Sequence, residues 1–282
     1  ELANLKVTMR NCVPCWRKKL NISDLMKKLE DFYPLNTQMS WDNSGLQIGD
    51  LNSEVKKVHI CLDIEEFQIN RAIEYGCNTI ITHHPLFMSG IKSIEKSGFY
   101  YKVIKKALDY KITILSYHTP FDTSVFGMKN FFLSEYAIGE IKNLAVEEGQ
   151  NFGIVFDVQD VKIKEIIGIL SKNFSKYGYD NPSNYMTLYG EDEKVIKRIG
   201  YLGGSGASFI DYAILNGVDL YLTGDIKYHD AQHAYRNGLS ILDLTHGMSE
   251  IHFVDIMAKK ISDIGLQVSK DYFTFDKLNI DL

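Results

Sequence analysis

Two adjacent histidines, His83 and His84, close the short apolar run 78–81 and are followed at once by Pro85. A run rich in β-branched residues is typical of a buried strand. Proline cannot donate to a strand ladder, so the strand must end at this point. Both imidazoles are then expected at the carboxyl end of a strand, which is the edge of an α/β sheet where ligands and metals bind.

The segments on either side of these histidines have the same organisation. Apolar runs at 58–62 and 112–116 each end in polar or ionisable residues, and helical patterns occupy 66–75 and 99–109 between the runs. This β-α-β-α-β order predicts parallel strands joined by right-handed crossovers. The carboxyl ends of such strands share one edge of the sheet, which gathers five polar residues: Asp63, His83, His84, His118 and Asp122.

A second series of this type follows later in the chain. Strand patterns at 199–202, 218–222 and 239–244 alternate with helical patterns, and the last strand is followed by His246 and Glu250. We therefore expect an α/β fold with two similar α/β domains, whose strand ends meet at a shared dinuclear metal cleft.

The domain division follows from these two series. We expect an extension at 1–19, a first α/β half at 20–127 and a second half at 128–282. The carboxyl-terminal part of the second half is expected to pack back on the first.

Local patterns outside the two series make further predictions. Ser23 is the expected N-cap of the first helix, and Trp41 is expected to fill the core from a polar loop. A helix is expected at 126–138 and a strand at 272–275. Three more histidines have structural or surface settings: His59, His233 and His252.

Composition limits the classes of protein that fit. The chain has 282 residues and a net charge of −5, so no basic surplus indicates nucleic-acid binding. Four cysteines are too few for a disulfide framework, although Cys12 and Cys15 have redox or zinc spacing. No apolar run is long enough to span a bilayer and no signal peptide is visible, so a cytoplasmic protein is expected.

Metal binding is the chemistry that the strand ends favour. Three imidazoles and two carboxylates suffice for two divalent metal ions, and a carboxylate such as Asp122 or Glu250 can bridge them. Mixed nitrogen and oxygen donors suit zinc, iron or manganese alike. The expected metal ligands are His83, His84, Asp122, His246 and Glu250.

Six segments, in this order, resemble the Nif-three-like (NIF three) family, whose bacterial members are named type-2 GTP cyclohydrolase I homologues. The resemblance covers about residues 20–282. It rests on 41–46 (WDNSGL), 82–85 (THHP), 118–122 (HTPFD), 203–206 (GGSG), 223–231 (TGDIKYHDA) and 246–250 (HGMSE).

This resemblance implies the same five metal ligands, a homohexameric ring and a small-molecule substrate such as a nucleotide. Two departures from the family's pattern are visible. Pro120-Phe121 replaces the usual Asn-Leu before Asp122, and Gly247 stands where the family often has tyrosine. Some members carry an inserted domain in mid-chain, for which the connection at 137–148 leaves no room.

The resemblance leaves three functions open: a hydrolase of the GTP cyclohydrolase kind, a metal-dependent phosphoesterase, and a non-enzymatic metal-binding scaffold. In the hydrolase, His118 or His229 are candidates for proton transfer, because imidazole titrates near neutrality. A glycine-rich stretch before a helix can cradle a phosphate, although a plain tight turn fits it equally. The candidate phosphate-binding residues are Gly203, Gly204, Ser205, Gly206 and Lys227.

Overall fold

Two β-sheets organise residues 19–278, which are the residues that the computed structural model describes. The α-helices are α1 (Ile22–Glu30), α2 (Glu66–Glu74), α3 (Phe99–Asp109), α4 (Thr119–Thr123), α5 (Ile163–Ser175), α6 (Ile210–Leu215), α7 (Tyr228–Arg236), α8 (His246–Glu250) and α9 (Phe253–Asp263). The strands are β1 (Gly45–Ile48), β2 (Lys57–Cys61), β3 (Thr79–Thr82), β4 (Thr113–Ser116), β5 (Ile138–Glu147), β6 (Gln150–Lys162), β7 (Thr187–Tyr189), β8 (Val195–Ser205), β9 (Leu220–Gly224), β10 (Ser240–Asp243) and β11 (Gln267–Lys270).

The first sheet has the order β1-β4-β3-β2-β11. Strands β2, β3 and β4 are parallel, as predicted, and β1 runs antiparallel to β4. Every residue of β3 and β4 is buried, which is usual for parallel strands because their crossover helices cover the sheet. The carboxyl ends of the three central strands therefore lie side by side. From the other end of the chain, β11 pairs in parallel with β2.

The second sheet has the order β5-β6-β8-β9-β10-β7. Its centre, β8-β9-β10, is parallel, which confirms the second predicted series. The long hairpin β5-β6 adds two antiparallel strands at one side. Its turn contains Glu148 and Gly149, both with positive φ, as the tight turns that suit the twist of a hairpin require.

Three local predictions of secondary structure were wrong. The N-cap of α1 is Asn21, whose side chain accepts the amide of Asp24 at 2.7 Å, and Ser23 lies within the helix. The segment 126–138 is not an α-helix and contains only the short 3-10 helix Phe132–Tyr136. Residues 272–275 form no strand, because the final strand is β11 a few residues earlier.

One apolar core joins elements of both sheets. It includes Ile60 and Leu115 from the first sheet and Leu222 and Leu242 from the second. Burial of this shared apolar surface fixes the two sheets against each other. No helix between residues 19 and 278 combines the length and hydrophobicity that crossing a bilayer requires. The Cys12–Cys15 pair lies outside the described residues.

Candidate metal centre

His83 is positioned by the end of β3 and is fully buried. Its Nδ1 lies 3.0 Å from the carbonyl oxygen of Tyr117. A carbonyl only accepts hydrogen bonds, so Nδ1 carries the proton and donates it. The Nε2 lone pair is left facing Asp122 and Glu250, each with a carboxylate oxygen 3.5 Å away. This is the orientation of a metal-binding histidine.

His84 and His246 are held in the same manner from opposite sheets. Nδ1 of His84 lies 2.7 Å from Asp63, and Nδ1 of His246 lies 2.7 Å from Asp225. Each aspartate fixes the tautomer of its histidine and leaves Nε2 free for a ligand. The two Nε2 atoms are 3.2 Å apart. If both imidazoles are neutral, their Nε2 lone pairs face each other at that distance, and a cation between or beside them relieves the repulsion.

Glu250 is the centre of the cluster. Its Oε1 is 3.5 Å from Nε2 of His83, whereas its Oε2 is 3.1 Å from Nε2 of His84 and 3.3 Å from Nε2 of His246. The carboxylate is 2 % exposed, so its charge is screened little by water. Oε2 has no hydrogen-bond partner within the described residues, and neither have Nε2 of His83 and Oδ1 of Asp122. Buried polar atoms without partners are costly, so these atoms fit metal ions.

Burial and mutual charge alter the protonation of the histidines. Burial lowers the pKa of His83 to about 4, although Glu250 acts in the opposite direction. Burial also disfavours charge on His84, but Glu250 and Asp63 outweigh it and raise the pKa of His84 to about 10. Glu250 is the largest cause that raises the pKa of His246 to about 11. Without metal, His84 and His246 are therefore positively charged at neutral pH, with a proton on both ring nitrogens.

The two carboxylates at the centre shift in opposite directions. Burial, followed by the charge of Glu250, raises the pKa of Asp122 well above its usual range. For Glu250, burial is outweighed by the three neighbouring histidines, which hold its pKa well below the usual range. The negative charge of the cluster is thus concentrated on Glu250, the carboxylate that faces His83 with one oxygen and His84 and His246 with the other.

The backbone near the candidate ligands His246 and Glu250 is strained. Asp225 and Thr245 have φ values of 59° and 62°, which non-glycine residues rarely adopt. Both flank His246, which Asp225 contacts and Thr245 precedes. Gly204 approaches from β8, and a Cβ there would lie 2.3 Å from Oε1 of Glu250. The fold therefore leaves no space for a side chain at residue 204.

His118 joins the cluster from the first sheet. Its Nδ1 lies 3.0 Å from Asp42, so it is anchored like the other histidines, and its ring centroid is 5.1 Å from that of His83. Three sets of residues bring their donor atoms within 4.8 Å of one another. They are His83, His84 and His118; His84, His246 and Glu250; and His83, Asp122 and Glu250.

Trp41 does not fill the core as predicted. Its side chain is 56 % exposed and lies edge-on to the ring of His118, with 5.6 Å between ring centroids. The preceding residue explains the orientation, because Ser40 binds Glu148 in the β5-β6 turn through its amide and hydroxyl groups. The loop is therefore tied to the hairpin, and Trp41 faces the candidate site.

A cavity of about 690 Å³ opens beside the cluster. Four of the five predicted ligands line it: His84, Asp122, His246 and Glu250. Its other walls are largely apolar and include Trp41, Phe152 and Phe209. A cavity of this size with a few convergent polar groups suits a small molecule.

Some predicted site residues lie elsewhere. His229 and Lys227 are exposed at the start of α7 and do not line the cavity. Gly203, Gly204 and Ser205 belong to the end of β8 and not to a helix-opening loop, although Gly203 and Ser205 do line the cavity. The amide of Gly204 donates to Ser249 and that of Gly206 to Gly224, so both are already engaged. The proton-transfer and phosphate roles of these residues remain predictions.

The departures from the family pattern have separate structural settings. Phe121 is fully buried behind His83 and does not line the cavity. At Gly247, a Cβ would lie 2.6 Å from Asp276, whose carboxylate accepts the amide of Met248 at 2.8 Å. The segment around Asp276 thus occupies the space that a larger side chain at residue 247 would need. Phe275 and Asp276 line the cavity in consequence.

His59, His233 and His252 lie outside the cluster, as predicted, although Nδ1 of the buried His252 has no hydrogen-bond partner among the described residues. Both ring nitrogens of His59 are satisfied, by Ser269 and Gln68. His252 is buried against Phe131, and burial lowers its pKa to about 4. His233 is exposed and contacts Asp211.

Comparison with known proteins gives the class to which this fold and site belong. The sequence profile of Duf34/NIF3 (NGG1p interacting factor 3) matches residues 20–276. The chain therefore belongs to the Duf34/NIF3 family, which confirms the resemblance inferred from the motifs.

Particular relatives agree with this assignment. The chain is 32% identical over 251 residues to the Campylobacter jejuni protein named GTP cyclohydrolase 1 type 2 homolog, with 88% of this chain and 95% of the relative covered. Among solved structures, a Bacillus cereus protein related to NIF3 has a TM-score of 0.80 at 19% identity, covering 94% and 100% of the two chains. Reduced HcgD from Methanocaldococcus jannaschii has a TM-score of 0.77 at 26% identity, covering 90% and 99%.

Proposed function

We propose that this protein is a hydrolase that uses two divalent metal ions to act on GTP or a related nucleotide or heterocycle. The observation that carries the proposal is the position of Glu250. It belongs to two separate sets of candidate ligands, and each of its oxygens faces a different set. A bridging carboxylate between two metals about 3.5–4 Å apart is the arrangement of two-metal hydrolases.

The ligands divide between two positions. His83, Asp122 and Oε1 of Glu250 form one, and His84, His246 and Oε2 of Glu250 form the other. We assign His118 as an additional ligand, because Asp42 fixes its Nδ1 proton and its donor atom lies within 4.8 Å of those of His83 and His84. This replaces the proton-transfer role that the sequence suggested for His118. Zinc, iron and manganese all fit these donors.

The chemistry follows from the charge and shape of the cavity. Bound divalent ions would supply Lewis acidity that lowers the pKa of a water molecule from 15.7 towards neutrality. Asp63, Asp225 and the Tyr117 carbonyl hold the three imidazoles in fixed orientations. His83 and Glu250 are almost completely buried, which strengthens electrostatic interactions at these two residues. On a GTP substrate, one water would add to the carbon between the two imidazole nitrogens and open the ring to a formamide. A second water would hydrolyse this formamide and release formate.

The experiment is a turnover assay with defined metal content. Protein loaded separately with zinc, iron or manganese is incubated with GTP, and formate and pterin fluorescence are measured. Formate release that disappears in Glu250→Gln supports the proposal. Phosphate release without formate, from a panel of nucleotides, would favour the phosphoesterase. A fully metallated protein with no turnover would favour the scaffold.

We also propose a homohexamer, which the family resemblance implies. The edge strand β5 supports an assembly, because it exposes Ile138, Ile141 and Val146. Exposed apolar edge strands in soluble proteins are normally covered by a partner. Light scattering coupled to gel filtration would test the mass of the assembly.

A further inference from the structure

Lys129 enters the cavity from the turn that follows α4. The chain folds back on that helix at Gly127, where a Cβ would lie only 1.9 Å from the carbonyl oxygen of Phe121. The amide of Met128 donates to the same carbonyl at 3.2 Å. This turn is anchored to the residue next to Asp122. Lys129 is therefore held close to the metal ligands and lines the same cavity.

The ammonium group of Lys129 is buried with little compensation. The residue is 9 % exposed, and Nζ donates to Oδ1 of Asn143 at 2.9 Å. Among residues 19–278, no carboxylate oxygen forms an ion pair with it at 4.0 Å or less. An ammonium has three donor hydrogens, and an amide oxygen supplies no negative charge. Burial lowers the pKa of Lys129 to about 8.

The proposed metal ions would make the positive charge of Lys129 less favourable. Two divalent cations in the same cavity would disfavour its positive charge further, because like charges repel strongly where water is excluded. A buried cation in this setting is stabilised by an anion that enters from solvent. The rest of the cavity wall is largely apolar, with Phe152 and Phe209 among the residues that line it. We therefore expect the complementary molecule to have an apolar body and one anionic group.

We propose that Lys129 binds the anionic group, a phosphate or a carboxylate, of the molecule that occupies this cavity. The inference rests on the proposed function for the use of the cavity, but it concerns recognition and not turnover. It also assigns the cationic role to a residue other than Lys227, which is exposed and does not line the cavity. Lys129 is a specificity-determining residue in this account.

The test measures binding to the metal-loaded full chain with matched pairs of probes. GMP and guanosine differ by a phosphate, and benzoate and benzamide differ by a negative charge. Dissociation constants are measured by calorimetry for the wild type, Lys129→Met, Lys129→Arg and the control Lys172→Met, which removes an exposed lysine of α5. Metal content and circular dichroism verify that all four proteins are loaded and folded. As a second readout, Lys129 is acetylated with acetic anhydride in the presence and absence of each probe. Mass spectrometry then shows whether the bound probe protects the lysine.

We expect at least one anionic probe to bind more tightly than its neutral partner and to protect Lys129 from acetylation. The pair that responds distinguishes phosphate from carboxylate. Lys129→Met should weaken that anion about 10- to 100-fold, which is the usual effect of losing a charge-assisted hydrogen bond. Lys129→Arg and Lys172→Met should stay near the wild type. The proposal is overturned if no anion protects Lys129, or if Lys129→Met keeps the wild-type preference for the charged probe. A protein that shows this preference but releases no formate would refute the proposed reaction alone.

Discussion

Nε2 of His84 lies 3.2 Å from Nε2 of His246, although the two histidines are 162 residues apart and come from different sheets. Each is oriented by an aspartate 2.7 Å from its Nδ1. The site therefore forms only when the carboxyl ends of both parallel series meet. The aspartates hold the imidazoles, and Glu250 belongs to two of the sets of candidate ligands.

Removing one of these aspartate contacts should weaken metal binding without removing a ligand. We expect Asp225→Asn to lower metal affinity about 10- to 100-fold, because the asparagine no longer stabilises the ligating tautomer of His246. Competition with a chromophoric chelator measures the change. The matched control is Asp211→Asn, which breaks a contact of the same 2.7 Å length to the exposed His233. Equal losses in both variants would refute a positioning role for Asp225.

Metal binding should release protons and strengthen as the pH rises. In the metal-free protein the pKa values of His84 and His246 are raised to about 10 and 11, so both are protonated at pH 7, and a ligating imidazole must be neutral. Without metal, their pairing with Glu250 contributes stability that is complete below about pH 6.5 and is lost as the pH rises through 10–11. Calorimetry in buffers of different ionisation enthalpy measures the proton count. Binding at pH 7 with no proton release would contradict these assignments.

Gly204→Ala should disturb the metal centre from outside its ligands. The added Cβ would lie 2.3 Å from Oε1 of Glu250, and the φ of +72° further disfavours alanine. We expect metal affinity to fall at least about tenfold, a size typical of disturbed support for ligands, as measured by chelator competition. Gly168→Ala serves as the control, because that glycine lies in α5 with no neighbour within 4 Å. The control should keep its metal and gain about 0.5–1 kcal/mol of stability.

Sequence reasoning reached the parallel strands because their apolar runs are fully buried and end in polar residues. It reached the five candidate ligands because parallel strands place those ends on one edge. The aspartates that orient the histidines were harder to assign. Asp42 and Asp225 are identified by hydrogen bonds to Nδ1, and these depend on side-chain orientation, which residue spacing does not give.

Lys129 was missed for a related reason. The apolar spacing at 126–138 is typical of a helix, and a helix gives no reason to expect Lys129 in the cavity. The tight turn at Gly127 instead returns the chain to Phe121, a contact that only the tertiary fold reveals. Strand β11 was missed because its sequence, QVSK, has a single apolar residue and half of it is exposed.

The number of metal ions per chain tests the central claim most directly. Elemental analysis of purified, reloaded protein should give two ions for the wild type and for Asp211→Asn. His83→Ala and His246→Ala should each lose one ion, from different positions, whereas Glu250→Gln should lose the affinity of both. Circular dichroism should show that these variants remain folded. A wild type that holds at most one ion, or a folded Glu250→Gln that retains two with unchanged affinity, would contradict a two-metal centre bridged by Glu250.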